Sequence, residues 1–338
     1  MQNLTAVAKK TIQRFPIELL PPTIEPWDGT FRDLKKLILY EDKHLYVCYK
    51  PPQILSQSEN SAGSLGEDDN YNLLKLLSKY QVSVSPKSRD YIGLVHRLDR
   101  PTSGLMVYAR NEQSLKILSA TFNPSFSEQK YAIKSYLAAV EGKLSGDDYL
   151  VNYLRMIKPT KTTVCDVANW KDGEKKEKLL ALQSKLILPQ TDVFSPQILT
   201  ELARIDPNFK IAKMFYQTIT SANINEGKRN QSNELLPEKY QSFLSVNLET
   251  GRKHQIRAQL SYLGYPVIGD EKYGASQRFS HRDICLHAYS LSFPHPFEKK
   301  RVLSFTIPPP RIWADRFPKR MMNSLQPLFT PFSTIKIK

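Results

Sequence analysis

Residues 93–110 read GLVHRLDRPTSGLMVYAR, two short apolar runs joined by a polar knot. Pro101 fixes its own φ, Gly104 permits a sharp turn, and Thr102 and Ser103 can bond nearby backbone groups. The stretch therefore reads as strand, loop, strand. If Val95 to Asp99 ends the first strand, Arg97 and Asp99 share one face and Leu98 takes the other. The acid between Arg97 and Arg100 then has two readings. It is a turn-capping residue, or a carboxylate on a rigid rim, suited to nucleophilic or acid–base work among groups that grip a polyanion. Taken alone, the stretch favours the turn.

The rest of the chain has the same grain. Leu45 to Tyr49 is a β-rich run stopped by Pro51 and Pro52. Residues 56–70 are polar and read as a loop, and Leu73, Leu74, Leu76 and Leu77 predict a short helix. Residues 130–143 predict a strand on which Lys134 and Tyr136, two apart, share a face. A charge run at 171–178 leads into a predicted helix, residues 221–239 read as a polar, mobile loop, and a strand pattern resumes at 242–250.

Forty-eight Lys and Arg against 33 Asp and Glu give a formal charge of +15. A basic surface attracts phosphate backbones through counterion release, so a nucleic acid is the expected partner. No apolar run reaches the roughly 18 residues that a membrane span needs, and no membrane partner is expected. Cys48, Cys165 and Cys285 are odd in number and far apart, which fits a reducing compartment rather than a disulfide framework. In the first 17 residues Leu4, Val7, Ala8, Ile12 and Phe15 recur at helical spacing beside Lys9, Lys10 and Arg14, with no acid. That pattern predicts either a targeting helix, for a mitochondrion or other organelle, or an ordinary amphipathic helix of a cytoplasmic protein. The proline-rich stretch 19–27 reads as a linker.

A second constellation is ETGRKHQIRAQLSYLGYPVIGDEKYG, residues 249–274. Ile256, Leu260 and Leu263 mark a helix buried on one side, with Gly264 as its C-terminal cap. Its first turn is expected to hold Arg252, Lys253 and His254, with Arg257 one turn further. A helix N-terminus disfavours cations, so their presence there points to an anion or to a solvated basic face. His281, Cys285, His287 and His295 match no common zinc spacing. No metal is expected, and His287 and His295 are read as structural hydrogen-bonding residues. The kinase H-R-D loop is rejected because Leu98 interrupts it and D-F-G is lacking. A glycoside hydrolase needs a second carboxylate in a comparable motif, and none is seen.

HRLDRPTSG resembles the H-R-L-D-x-x-T-S-G signature of the RluA-like pseudouridine synthases. The resemblance continues in family order through DKHLYVCYKPP, KSYLAAVEG, ETGRKHQIRAQLSYLGYPVIGDEKYG and LHAYSLSFPHP, across 37–312 apart from the middle. It implies an α+β pseudouridine synthase fold, a mixed and largely antiparallel sheet with flanking helices around a central RNA-binding cleft. It also implies cofactor-free isomerisation of uridine in rRNA or tRNA. On that resemblance Asp99 is the essential carboxylate, Arg257 its counter-ion, and Tyr136 the ring that stacks on the target base. Arg97 would help to fill the gap left by the flipped nucleotide, and Arg100, Lys134, Arg252, Lys253 and His254 would contact RNA. A catalytically idle RNA-binding relative, acting in RNA or ribosome assembly, is the alternative.

The chain departs from the pattern where Pro52-Gln53 stands in place of the glycine usual shortly after Lys-Pro. The expected organisation is an N-terminal extension (1–36), a catalytic domain (37–312) with an insertion within 144–240, and a basic tail (313–338). The extension is too short for the S4 RNA-binding module of some relatives, so substrate choice falls to the core, insertion, tail or a partner.

Overall fold

LYVCYK and SGLMVYA are buried at every residue, as strands covered on both faces must be. They lie side by side within one large sheet. The computed structural model describes residues 11–14, 31–58, 72–85, 91–123, 132–158, 161–167, 173–186, 196–280, 282–298 and 300–329. The first half holds β1 (Thr11–Arg14), α1 (Phe31–Leu37), β2 (Ile38–Glu41), β3 (Leu45–Lys50), α2 (Leu73–Val84), β4 (Gly93–Leu94), β5 (Ser103–Ala109), α3 (Glu112–Phe122) and β6 (Ile133–Glu141). Then follow β7 (Asp147–Lys158), β8 (Lys161–Val164), α4 (Gly173–Leu186), α5 (Pro196–Ile205), β9 (Lys210–Asn223) and β10 (Tyr240–Leu248). The chain continues with α6 (Gln255–Tyr262), β11 (Leu286–Pro294), β12 (Val302–Thr306), α7 (Ile312–Arg316), α8 (Lys319–Ser324) and α9 (Gln326–Phe329).

The sheet runs β2-β3-β5-β11-β6-β10-β9-β7-β8, with β4 on β5, β12 on β11 and β1 on β12. Its pairs are antiparallel except β5 with β11 and β1 with β12, so it is the mixed, largely antiparallel sheet expected. The central parallel pair puts Gly104 beside Ala288. A Cβ there would lie 2.4 Å from the Ala288 carbonyl oxygen, and φ is +131°. Only glycine lets the strand after the loop start so close to its neighbour.

Several expectations are corrected. Thr11–Arg14 is a strand rather than part of a helix, because β-branched Thr11 and Ile12 pair with the edge of β12. The rest of the targeting stretch and the 19–27 linker lie outside the described residues, as does His281. The strand before the polar knot is only Gly93–Leu94, so residues 95–99 are loop and strand alternation does not orient Arg97 and Asp99. Residues 144–240 widen the sheet by β7, β8 and β9. They also carry a second core in which Leu179, Leu182, Leu186 and Leu202 of α4 and α5 pack against Tyr153, Phe209 and Ile211. Residues 224–239 form a hydrogen-bonded extension of the β9–β10 connection: Asn225 Nδ2 donates to Pro237 O at 2.7 Å and Asn230 Nδ2 to Glu234 Oε2 at 2.9 Å. In the described part of the basic tail, Trp313, Phe317, Met321 and Leu325 are buried in the main core.

Candidate active site

The loop carrying Asp99 is fixed from outside itself. Ser56 holds the Leu98 backbone at both ends, its Oγ donating to Leu98 O at 2.9 Å and accepting Leu98 N–H at 3.1 Å. Lys50 is fully buried, and its Nζ donates to the carbonyls of Pro51 (2.9 Å), Ile54 (2.8 Å) and Arg100 (3.1 Å). Burial draws this lysine down to about 7, against the pull of the Asp99 and Asp283 charges, while three carbonyls match the three N–H groups of an ammonium. A turn closed by Thr102 N–H on Asp99 O, 3.0 Å, completes the loop. His96 underlies it: its Nε2 accepts Val107 N–H at 3.0 Å and its ring stacks on Phe122. Burial pushes this imidazole down to about 3, so it stays neutral.

Asp99 faces Arg257. Nη1 of the guanidinium meets Asp99 Oδ2 at 2.9 Å, while Nε and Nη2 grip Asp270 in a fork at 2.6 and 2.8 Å. Arg257 is 4% exposed and Asp270 1%. Burial alone would lower the guanidinium's proton affinity; the bonds and charge of Asp270, then of Asp99, more than reverse this. The guanidinium also lies 4.9 Å from the Tyr273 ring centroid. Asp270 and Tyr273 were not among the residues singled out from the sequence. A Gly-Asp pair reads locally as a turn, and nothing in the spacing links it to an arginine 13 residues earlier.

One cleft is lined by Arg97, Asp99, Tyr136, Arg252, His254 and Arg257, together with Thr102 and Gly251. Tyr136 comes from the sheet's middle, paired with Ala288 and Val246. Burial, then the Asp99 charge, raises its phenol so that it stays protonated. Lys134, two residues before it, puts Nζ 3.6 Å from where a side chain on Gly251 would begin. Arg100 is not among the cleft's lining residues, and its Nε donates to Gln53 O at 3.3 Å. Lys253 is exposed and lies outside the cleft lining.

The helix start is corrected. α6 begins at Gln255, and Arg252, Lys253 and His254 precede it. Gln255 turns its side chain back, Oε1 accepting from Thr250 Oγ1 at 2.7 Å and Arg252 N–H at 3.0 Å. His254 takes a left-handed φ of 53°, a conformation non-glycine residues adopt only when surroundings impose it. Its Nδ1 lies 2.9 Å from Tyr273 Oη and its Nε2 3.7 Å from Asp99 Oδ2. Burial lowers this imidazole to about 4, with Arg257, Lys272 and Lys253 adding to the effect against Asp99, so it is neutral near pH 7. His287 and His295, read from the sequence as structural, both make internal bonds. His287 Nδ1 bonds Ser103 Oγ at 2.9 Å. His295 Nε2 reaches Asp42 Oδ2 at 2.9 Å, while its Nδ1 accepts Glu298 N–H.

The family model for RNA pseudouridylate synthase matches residues 44–262. The chain belongs to the RNA pseudouridylate synthase family. As a member it is an RNA-modifying isomerase by class. It is 29% identical over 274 residues to the ribosomal large subunit pseudouridine synthase C of Buchnera aphidicola subsp. Baizongia pistaciae, covering 79% of this chain and 65% of that protein's length. It is 30% identical over 225 residues to the tRNA pseudouridine synthase C of Haemophilus influenzae, covering 63% of this chain and 74% of that one. Among solved structures, human RNA pseudouridylate synthase domain containing 4 has the same fold, with a TM-score of 0.53 at 20% identity over 88% of this chain and 94% of that one.

Proposed function

We propose that this chain isomerises uridine to pseudouridine in ribosomal or transfer RNA, with Asp99 as the carboxylate that acts at the reacting nucleoside. The observation that carries the reading is the pairing of a partly exposed acid with a buried guanidinium, opposite Tyr136, in a cleft bordered by cations. The reaction is atom-balanced and needs no redox partner. The N1–C1′ bond breaks, the uracil turns, C5 bonds to C1′, and the C5 hydrogen leaves as a proton while N1 gains one. The groups present suit those needs. Asp99 supplies negative charge at the ribose or base, Arg257 anchors it, and Tyr136 offers a neutral ring on which an extruded base can stack. Arg97, Arg252 and Lys134 supply charge for the RNA backbone. The ribosomal and transfer RNA substrates follow the relatives' names.

An idle relative is expected to lack one of Asp99, Tyr136 and Arg257, and all three meet here. The test is release of tritium from RNA labelled at uridine C5. Release from rRNA or tRNA is expected, and binding of both RNAs without release overturns the proposal.

Lys134 adds a pH dependence. Burial draws its ammonium down to about 8, so it is charged below that pH and loses its charge as pH rises through it, well before ordinary lysines near 10.4. RNA affinity is therefore expected to weaken between pH 7 and 9, and Lys134→Met to remove most of that change. The variant should also lower the slope of log Kd against log salt by about 0.7. A Kd that ignores both pH and the substitution removes Lys134 from the RNA contacts.

A further inference from the structure

A second cavity opens on the other side of Arg257. It is lined by Pro101, Arg257, Lys272, Arg278, Phe279 and Arg282, with the acids Asp270 and Glu271. It adjoins the catalytic cleft at Arg257, which lines both, and its Pro101 lies two residues from Asp99. Resting on the synthase reading above, we propose that this cavity is a subsite for single-stranded RNA flanking the target uridine, with a backbone phosphate held by Lys272, Arg278 and Arg282.

Four observations support it. The acids do not neutralise the cations facing the opening. Asp270 is buried and taken by Arg257, and Glu271 pairs with Arg278 only as an exposed couple, with side chains 59% and 86% accessible. Such a pair is weak in water and exchanges readily for a phosphate. The Lys272 ammonium is lowered first by partial burial and then by Arg257 and Lys253, the mark of cations crowded together. Pro101 and Phe279 add apolar wall against which a base or ribose can rest.

The fourth is the way the rim is braced. Gln53 has φ 66°, and Arg282 has φ 66° as well. Neither is glycine, and both are held by mutual bonds. Gln53 Nε2 donates to Arg282 O at 3.0 Å and to Asp283 Oδ1 at 2.8 Å. Gln53 N–H also donates to Arg100 O at 2.8 Å. One residue, through its side chain to the turn before β11 and its backbone N–H to the Asp99 loop, thus joins both to the loop after β3. Backbone strain sustained by such bonds gathers where a ligand must be met by fixed groups. The brace fixes the backbone of Arg282 relative to Asp99, so a strand of RNA meets both in one register.

The experiment uses full-length protein. Binding is read in the Asp99→Asn background with a fluorescein-labelled single-stranded 12-mer oligouridine, across a salt series. Lys272→Ala, Arg278→Ala and Arg282→Gly are combined, the last keeping the left-handed backbone open. The expected result is a Kd weakened ten- to hundredfold and a salt slope reduced by about two. With Asp99 restored, the loss in tritium release from rRNA and tRNA should fall on KM more than on kcat. A control removes the charges of Lys175, Lys176 and Lys178 on α4, which lines neither cavity. A triple variant that binds like wild type, or no worse than the control, overturns the subsite. Wild-type protein that binds the 12-mer but releases no tritium overturns the synthase reading instead, and the binding arm still decides the subsite.

Discussion

Asp99→Asn is expected to cut tritium release by about 10⁴-fold or more while leaving RNA binding intact. That size is typical when a group acting as a unit with its neighbours at the reacting bond is removed. The change is nearly isosteric, so the turn closed by Thr102 N–H on the backbone carbonyl is unaffected. It also leaves no buried cation stranded, because Arg257 retains its two-bond fork on Asp270. Stability should therefore move by no more than about 1 kcal/mol, the size of one hydrogen bond. Removing a negative charge from a cleft bordered by Arg97, Arg252 and Lys134 should hold or tighten RNA affinity. Single-turnover release, a Kd from anisotropy and a urea melt measured together check this. A variant that keeps a rate within tenfold of wild type would take Asp99 out of the reacting centre.

The residues that meet at this centre were legible mainly through the ordered motifs of the family resemblance, since the stretch around Asp99 taken alone favoured a turn. The geometry that holds them was less legible. A strand ending at Asp99 looked sound from periodicity, yet Lys50 and Ser56, more than 40 residues earlier, hold those residues as loop. The start of α6 was displaced for a similar reason. The side chain of Gln255 bonds Thr250 and Arg252, which keeps 251–254 out of the helix, and no propensity records such a bond. Pro52-Gln53 stood out as a departure from a glycine pattern, and only the fold shows that Gln53 takes a left-handed φ and makes two side-chain bonds. The tail is different: Trp313, Phe317, Met321 and Leu325 are buried in the main core although the helix breaks at Phe317 and Pro318 between α7 and α8, so their burial comes from the tertiary fold and not from one helical stripe.

The most informative stability result concerns Arg257 and Asp270. Removing one partner of a buried ion pair leaves an uncompensated charge and costs roughly 3–5 kcal/mol, whereas replacing both with apolar residues of similar volume is often neutral or stabilising. Arg257→Met should therefore destabilise the fold by about that much, because Asp270, 1% exposed, loses both of its charge-assisted bonds. Adding Asp270→Leu should return most of the loss. Activity should behave oppositely. Asp99 loses the guanidinium at 2.9 Å in either variant, so tritium release should stay at least about 10²-fold down in the double variant, as expected when a preorganised electrostatic partner is lost. Urea melts and release assays on the wild type, both single variants and the double variant give a full cycle. Recovery of stability without recovery of rate means that the buried pair is kept to position Asp99 and not to hold the fold. A double variant no more stable than Arg257→Met, or one that regains its rate, would reverse that assignment.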